Sequence, residues 1–87
     1  MTNMADNDKQ NKVRVFSTKY CPYCHTLKAF LSEKGVDFED IDVSENQQAL
    51  EEMTAKSGQL GVPVSEINGQ IVVGFDREAI SRLLNLN

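Results

Sequence analysis

The stretch Cys21-Pro-Tyr-Cys24 contains both cysteines of this chain. It follows an apolar run at residues 13–16 and precedes a helical pattern, so it places two thiols at a strand-to-helix junction. The amide groups and dipole of a helix start stabilise a thiolate, the form of cysteine that attacks disulfides. We therefore expect Cys21 to be the attacking catalytic thiolate, with Lys19 adding positive charge nearby.

Cys24 lies one helical turn further on, and this spacing suits a thiol that resolves a mixed disulfide formed on Cys21. We expect the Cys24 sulfur to be more buried and to remain a thiol until attack is required. A disulfide that closes so short a loop constrains little of the unfolded chain. The pair is therefore interpreted as reactive, not as a stabilising bridge.

The alternative role of the same cysteines is to bind a metal or a haem. Structural zinc usually takes four ligands, whereas this chain has no second C-x-x-C pair and a single histidine, His25. The string C-x-x-C-H also matches the attachment site of c-type haem, but haem attachment requires export and an axial partner. We expect no metal site, and we expect His25 to be a solvated helix residue.

The composition favours one folded domain: 87 residues, 40% hydrophobic and 25% charged. The net charge of −4 argues against nucleic-acid binding, and no apolar stretch approaches the length of a membrane span. Residues 1–11 are polar, without the apolar region of a secretory signal, and predict a flexible tail before a domain at residues 12–87. Without an export signal we expect a cytoplasmic protein, and in that compartment cellular reductants cycle a C-x-x-C pair.

The first half of the domain alternates strand and helix. Residues 13–17 predict a short buried strand and residues 18–21 a turn, while Pro22 suits the first position of a helix that stops at Gly35. The apolar face of that helix consists of Leu27, Phe30 and Leu31. Residues 38–43 predict a second strand, at a sheet edge because it is acidic.

Ser44 is expected to cap a second helix that Gly58 and Gly61 end. Residues 63–67 and 70–74, joined by Asn68-Gly69, then predict a β-hairpin. Asp76 is expected to cap the last helix, whose inward face consists of Ala79, Ile80, Leu83 and Leu84. The order βαβαββα predicts an α/β fold with a four-stranded mixed sheet flanked by helices, two strands being parallel and the hairpin antiparallel.

These features resemble the glutaredoxins, which have the thioredoxin fold. The resemblance rests on Tyr20-Cys-Pro-Tyr-Cys24, on the element order, and on Val62-Pro63 followed by Gly74-x-Asp76, and it spans residues 12–86. It implies a thiol–disulfide oxidoreductase that reduces protein disulfides or glutathione mixed disulfides. Glutathione would be its co-substrate, with no permanently bound cofactor, and the protein would act as a monomer on disulfide-containing or glutathionylated proteins.

The resemblance also implies a glutathione groove. Pro63 would be a cis-proline facing the active site, and Val62 would offer its backbone groups to the substrate as an added strand does. Lys19 and Tyr23 would contact glutathione, Lys19 through a carboxylate of the tripeptide. The γ-glutamyl end would be held by Gly74, Phe75 and Asp76 at the start of the last helix.

Two stretches depart from the usual family pattern. The chain has Gly61-Val-Pro63 where Thr-Val-Pro is typical, and Val73-Gly-Phe-Asp76 where Gly-Gly-x-x-Asp is typical. These departures resemble a short prokaryotic glutaredoxin-like subgroup, and they leave the electron donor open. Phe75 could contact glutathione, dock a partner or belong to the core, and we expect it at the surface.

Two rival functions stay open. A redoxin that supplies ribonucleotide reductase and is reduced by a flavin reductase usually carries a Trp-Ser-Gly-Phe-Arg-Pro stretch, of which this chain has only Gly74-Phe75. A carrier of iron–sulfur clusters resembles Cys-Gly-Phe-Ser at its active site. Pro22, Tyr23 and the second cysteine weigh against that carrier.

Overall fold

The computed structural model of this chain describes residues 12–86, so the tail expected at residues 1–11 lies outside the described residues. The elements follow the predicted order βαβαββα. Their bounds are Val13–Ser17 for β1, Pro22–Glu33 for α1, Glu39–Asp42 for β2, Gln47–Ser57 for α2, Val64–Ile67 for β3, Gln70–Val73 for β4 and Arg77–Leu84 for α3.

The four strands form one mixed sheet in the order β2-β1-β3-β4. Strand β1 pairs in parallel with β2, with Arg14 opposite Glu39, and antiparallel with β3, with Phe16 opposite Val64. The β3–β4 hairpin is antiparallel, as predicted. The acidic strand β2 lies at the edge of the sheet, which confirms the expectation drawn from its charges.

The two faces of the sheet carry separate cores, because side chains alternate along each strand. One face packs against α1 and α3, and its fully buried residues are Val15, Leu27, Leu31, Ile67 and Ile80. The other face packs against α2, and its fully buried residues are Phe16, Met53 and Val64. Together the two layers hold β1, and therefore the loop that follows it, from both sides.

The hairpin turn has the geometry that Asn68-Gly69 predicts. Both residues adopt positive φ, 49° at Asn68 and 89° at Gly69, as a type I′ turn requires. Asn68 also ties the turn to the start of β1, because its Oδ1 accepts a hydrogen bond from the Lys12 N–H at 2.9 Å. The turn thereby sets the register in which β3 and β4 reach the active-site end of the sheet.

The predicted cap of the second helix was wrong. Asn46 caps α2, its Oδ1 accepting from the Ala49 N–H at 3.1 Å. Ser44 instead donates from its backbone N–H and its hydroxyl to Asp42 Oδ1. Because Asp42 holds Ser44 in this tight turn, the helix begins later, at Gln47.

Candidate active site

Cys21 occupies the N-cap of α1, where the chain leaves β1. Its backbone is extended, with φ −101° and ψ 110°, and Pro22 follows at the first helical position. The Cys24 N–H donates to Cys21 Sγ at 3.2 Å, so the sulfur takes the place that an oxygen of serine or aspartate usually occupies at a helix start. A donated hydrogen bond and the helix dipole both stabilise negative charge on that sulfur.

Cys24 lies on the inward face of the first turn of α1. It is fully buried, as the sequence predicted, and both cysteines are free thiols. Burial, and after it the hydrogen bond with the Cys21 side chain, raise the pKa of Cys24 to about 12. A backbone group of Thr18 and the charge of Lys28 act in the opposite direction. Cys24 is therefore held as a thiol.

The loop before β3 closes the site from the other side. The Val62–Pro63 peptide bond is cis, as the family resemblance implied. Cys21 Sγ donates to the Val62 carbonyl oxygen at 3.9 Å, and the Gly74 N–H donates to the Pro63 carbonyl oxygen at 2.8 Å. The fold thus brings Cys21, Val62, Pro63 and Gly74 to one end of the sheet.

Lys19 and Tyr23 lie on the exposed rim of this site. Tyr23 is 68% exposed, whereas the Lys19 ammonium forms an ion pair with Glu45 Oε2. The hydrogen bond from Lys19 to Glu45 raises the pKa of Lys19, and the charge of Asp42 raises it by a smaller amount. Sequence reasoning missed Glu45 as a site residue. The predicted parallel pairing of β1 and β2 could have indicated Glu45, because the loops that follow two parallel strands meet at the same end of a sheet.

Phe75 and Asp76 lie at the start of α3. Asp76 caps the helix as predicted, Oδ1 accepting from the Ala79 N–H at 3.1 Å. Phe75 was expected at the surface but is half-buried, since its ring packs edge-on against Phe30 with centroids 5.7 Å apart. The sequence could not show this contact because Phe30 lies on α1, far away along the chain.

His25 is exposed, and its Nε2 lies 3.0 Å from the Lys19 carbonyl oxygen. It therefore links the first turn of α1 to the preceding loop. Within the described part of the chain, no three His, Cys, Asp or Glu side chains are grouped so that they could hold a metal ion. None of the helices in residues 12–86 combines the length and apolar character needed to cross a membrane.

Comparisons with known proteins agree with this geometry. The glutaredoxin family model matches residues 13–72, which include both cysteines and Pro63 and end before Gly74. A glutaredoxin-like 8.6 kDa protein of Clostridium pasteurianum is 40% identical over 72 residues, 83% of this chain and 96% of the relative. Glutaredoxin 3 of Escherichia coli is 41% identical over 64 residues, 74% of this chain and 77% of the relative.

Solved structures show the same fold. A thioredoxin-like protein superposes with a TM-score of 0.82 at 29% identity, covering 86% of this chain and 96% of that one. The glutaredoxin-like NrdH-redoxin of Escherichia coli, described as having a thioredoxin-like activity profile, gives 0.75 at 28% identity and covers 83% and 93%. With two thiols at the start of α1 and a cis-proline loop facing them, this chain belongs to the glutaredoxin family and is a thiol–disulfide oxidoreductase of the thioredoxin fold.

Proposed function

We propose that this protein reduces protein disulfides and glutathione mixed disulfides in the cytoplasm, as a monomer, with glutathione as its electron donor and without a permanently bound cofactor. One observation carries the proposal. Cys21 Sγ lies 3.9 Å from the Val62 carbonyl oxygen, while Cys24 is buried one turn behind it. A substrate that pairs with the backbone of Val62 would bring its disulfide to Cys21.

The reaction begins with the Cys21 thiolate attacking one sulfur of the substrate disulfide. A new S–S bond forms on Cys21, and the other substrate sulfur leaves as a thiolate with the electron pair of the broken bond. Cys24 then loses its proton to solvent and attacks Cys21, which releases the second sulfur and leaves an intramolecular disulfide. Two molecules of glutathione reduce this disulfide and become glutathione disulfide.

The glutathione groove we propose has three parts. Val62 pairs with the cysteinyl backbone of the tripeptide, next to Pro63. Lys19 and Tyr23 contact its glycine end, the Lys19 ammonium pairing with the carboxylate. At the γ-glutamyl end the start of α3 provides amide groups for the second carboxylate and the Asp76 carboxylate for the ammonium group. The residues of this third part are Gly74, Phe75 and Asp76.

A reductant-coupled assay tests the electron donor. The oxidised protein is supplied with NADPH and either glutathione plus glutathione reductase or thioredoxin reductase alone, and NADPH consumption is followed with a protein disulfide as substrate. We expect turnover with the glutathione system. Turnover with thioredoxin reductase and none with the glutathione system would contradict glutathione as the donor.

Substitution of the two cysteines tests their roles. Cys21→Ser should abolish thiol–disulfide exchange, because the attacking thiolate is lost. Cys24→Ser should retain reduction of glutathione mixed disulfides, since external glutathione resolves Cys21, but should lose most dithiol reduction of protein disulfides. If Cys24→Ser left both reactions at the rate of the unmodified protein, the resolving role of Cys24 would be wrong.

The second candidate is a redoxin that supplies electrons to ribonucleotide reductase and is itself reduced by a flavoenzyme. The likeness to NrdH-redoxin, with a TM-score of 0.75, favours it. The same coupled assay separates the two functions, because this redoxin would turn over with thioredoxin reductase and not with glutathione.

A further inference from the structure

An ion pair lies one helical turn beyond Cys24. Lys28 is four residues after Cys24 on α1, so both side chains project from the same face of the helix. The Lys28 ammonium binds Asp40 Oδ2 on β2 at 2.8 Å, and the Lys28 side chain is only 20% exposed. The lysine is therefore largely withdrawn from solvent on the side of the helix that carries the buried thiol.

Asp40 is itself anchored. Its second oxygen, Oδ1, accepts a hydrogen bond from the Ser17 hydroxyl at 2.8 Å, and Ser17 is 2% exposed at the end of β1. The Asp40 carboxylate thus joins β1 to α1 from the edge strand β2. A lysine on a solvated helix face samples many rotamers, whereas this ammonium is bound to Asp40 of β2, which Ser17 of β1 holds in turn.

Cys24 needs such a charge when it reacts. A resolving thiol must lose its proton before it attacks, and burial opposes that loss. Cys21 at the helix N-cap favours the protonated form of Cys24 through its thiol hydrogen bond. A backbone group of Thr18 and the charge of Lys28 on α1 favour the thiolate. From β2, Asp40 faces this region through its ion pair with Lys28.

We propose that Lys28, held in place by Asp40 and Ser17, stabilises the thiolate of Cys24 as it attacks the mixed disulfide on Cys21. This inference rests on the resolving role given to Cys24 in the proposed function. In the step, the Cys24 proton passes to solvent, a bond forms between the two cysteine sulfurs, and the bond from Cys21 to the substrate breaks. The substrate sulfur leaves with that electron pair. Lys28 keeps its protons throughout and supplies only charge.

A single-turnover experiment measures this step without any biological reductant. The reduced protein is mixed with slightly less than one equivalent of the aromatic disulfide dithiobis(nitrobenzoate), and the coloured thiolate is followed by stopped flow. Attack by Cys21 releases the first thiolate, and attack by Cys24 releases the second. Cys24→Ser should show the first phase alone, which assigns the two phases.

Lys28→Met should slow the second phase about three- to tenfold at neutral pH, the size expected for removal of one nearby charge, and leave the first phase unchanged. The pH midpoint of the second phase should move upward, because the thiolate of Cys24 loses its stabilising charge. Lys28→Arg should retain the rate, since it retains the charge. Lys34→Met, which removes a cation at the end of the same helix, is the matched control and should change neither phase.

A purely structural role predicts a different result. If the ion pair only fastens β2 to α1, Lys28→Met should lower thermal stability while the second phase keeps its rate and pH midpoint, and this would overturn the proposal. Equal slowing by Lys34→Met would overturn it as well. If Cys24→Ser still released both thiolates, the proposed function itself would fail, which is distinguishable from failure of the role of Lys28.

Discussion

At the scale of single residues, the rim of the active site contains a carboxylate that competes with the proposed ligand, glutathione, for the Lys19 ammonium. Lys19, the cation expected to bind a carboxylate of glutathione, is paired with Glu45, and Asp42 lies near enough to act on the same ammonium. An incoming carboxylate would compete with Glu45 for the Lys19 ammonium. We therefore expect Glu45 to weaken the preference of the proposed groove for an anionic substrate.

We predict that Glu45→Gln lowers the KM for a glutathionylated substrate by roughly two- to fivefold, the range expected for an exposed ion pair, with kcat unchanged. The effect should be larger at low ionic strength, because salt screens exposed charges. Steady-state kinetics at two salt concentrations measure it. Glu39→Gln, the same charge change at the far end of β2, is the control; equal effects of the two variants would point to net charge instead of competition at Lys19.

At the scale of the elements, two serines on the same face of neighbouring strands differ in their hydrogen bonding. Both are buried, Ser17 at the end of β1 and Ser65 in β3 opposite Val15. The Ser17 hydroxyl donates to Asp40, whereas in residues 12–86 the Ser65 hydroxyl is without a hydrogen-bond partner. A buried hydroxyl that lacks a partner lowers the free energy of unfolding, whereas a hydrogen-bonded one raises it.

Ser17→Ala should therefore lower the free energy of unfolding by about 1 kcal/mol, and Ser65→Ala should leave it unchanged or raise it by up to about 1 kcal/mol. The two substitutions remove the same atom from the same sheet face, so each is the control of the other. Urea denaturation followed by circular dichroism measures both. A clear loss of stability in Ser65→Ala would show that its hydroxyl is satisfied.

At the scale of the whole molecule, a charge network joins the sheet to α2. Arg14 on β1 binds Glu52 of α2 at 2.8 Å and Glu66 of β3 at 2.7 Å, and Lys56 binds both carboxylates at 2.9 Å. Its hydrogen bonds with Arg14 and Lys56 lower the pKa of Glu52 from its ordinary value of 4.5 to about 2. The pKa of Glu66 is lowered as well, chiefly by Lys56.

This network predicts acid sensitivity. Because the pKa of Glu52 is lower in the folded than in the unfolded state, its contribution to stability is complete above about pH 4.5 and declines as the pH falls toward 2. Urea titrations between pH 7 and pH 2 cover both pKa values of Glu52. They should show a smaller acid-induced loss in the free energy of unfolding for Glu52→Gln than for the unmodified protein. Glu51→Gln, the neighbouring exposed carboxylate, should retain the full loss; an identical pH profile for all the proteins would contradict the role of Glu52.

The sequence predicted well wherever the signal was local. Asn68-Gly69 predicted a turn with positive φ, Asp76 predicted a helix cap, and the acidic residues of β2 predicted an edge strand, and all of these were confirmed. The cap of α2 was missed because Ser44 and Asn46 are both good capping residues. Only the hydrogen bonds of Asp42 decide which of them is used.

The sequence by itself determined the order of elements, the place of Cys21 at a helix start and the burial of Cys24, because helix periodicity, capping preference and strand alternation act over a few neighbouring residues. The tertiary structure alone decided which side chains meet. It brought Cys21 into contact with Val62, Glu45 with Lys19 and Asp40 with Lys28. Each of these contacts joins distant segments through the pairing of β1 with its neighbouring strands, and a local pattern carries no information about that pairing.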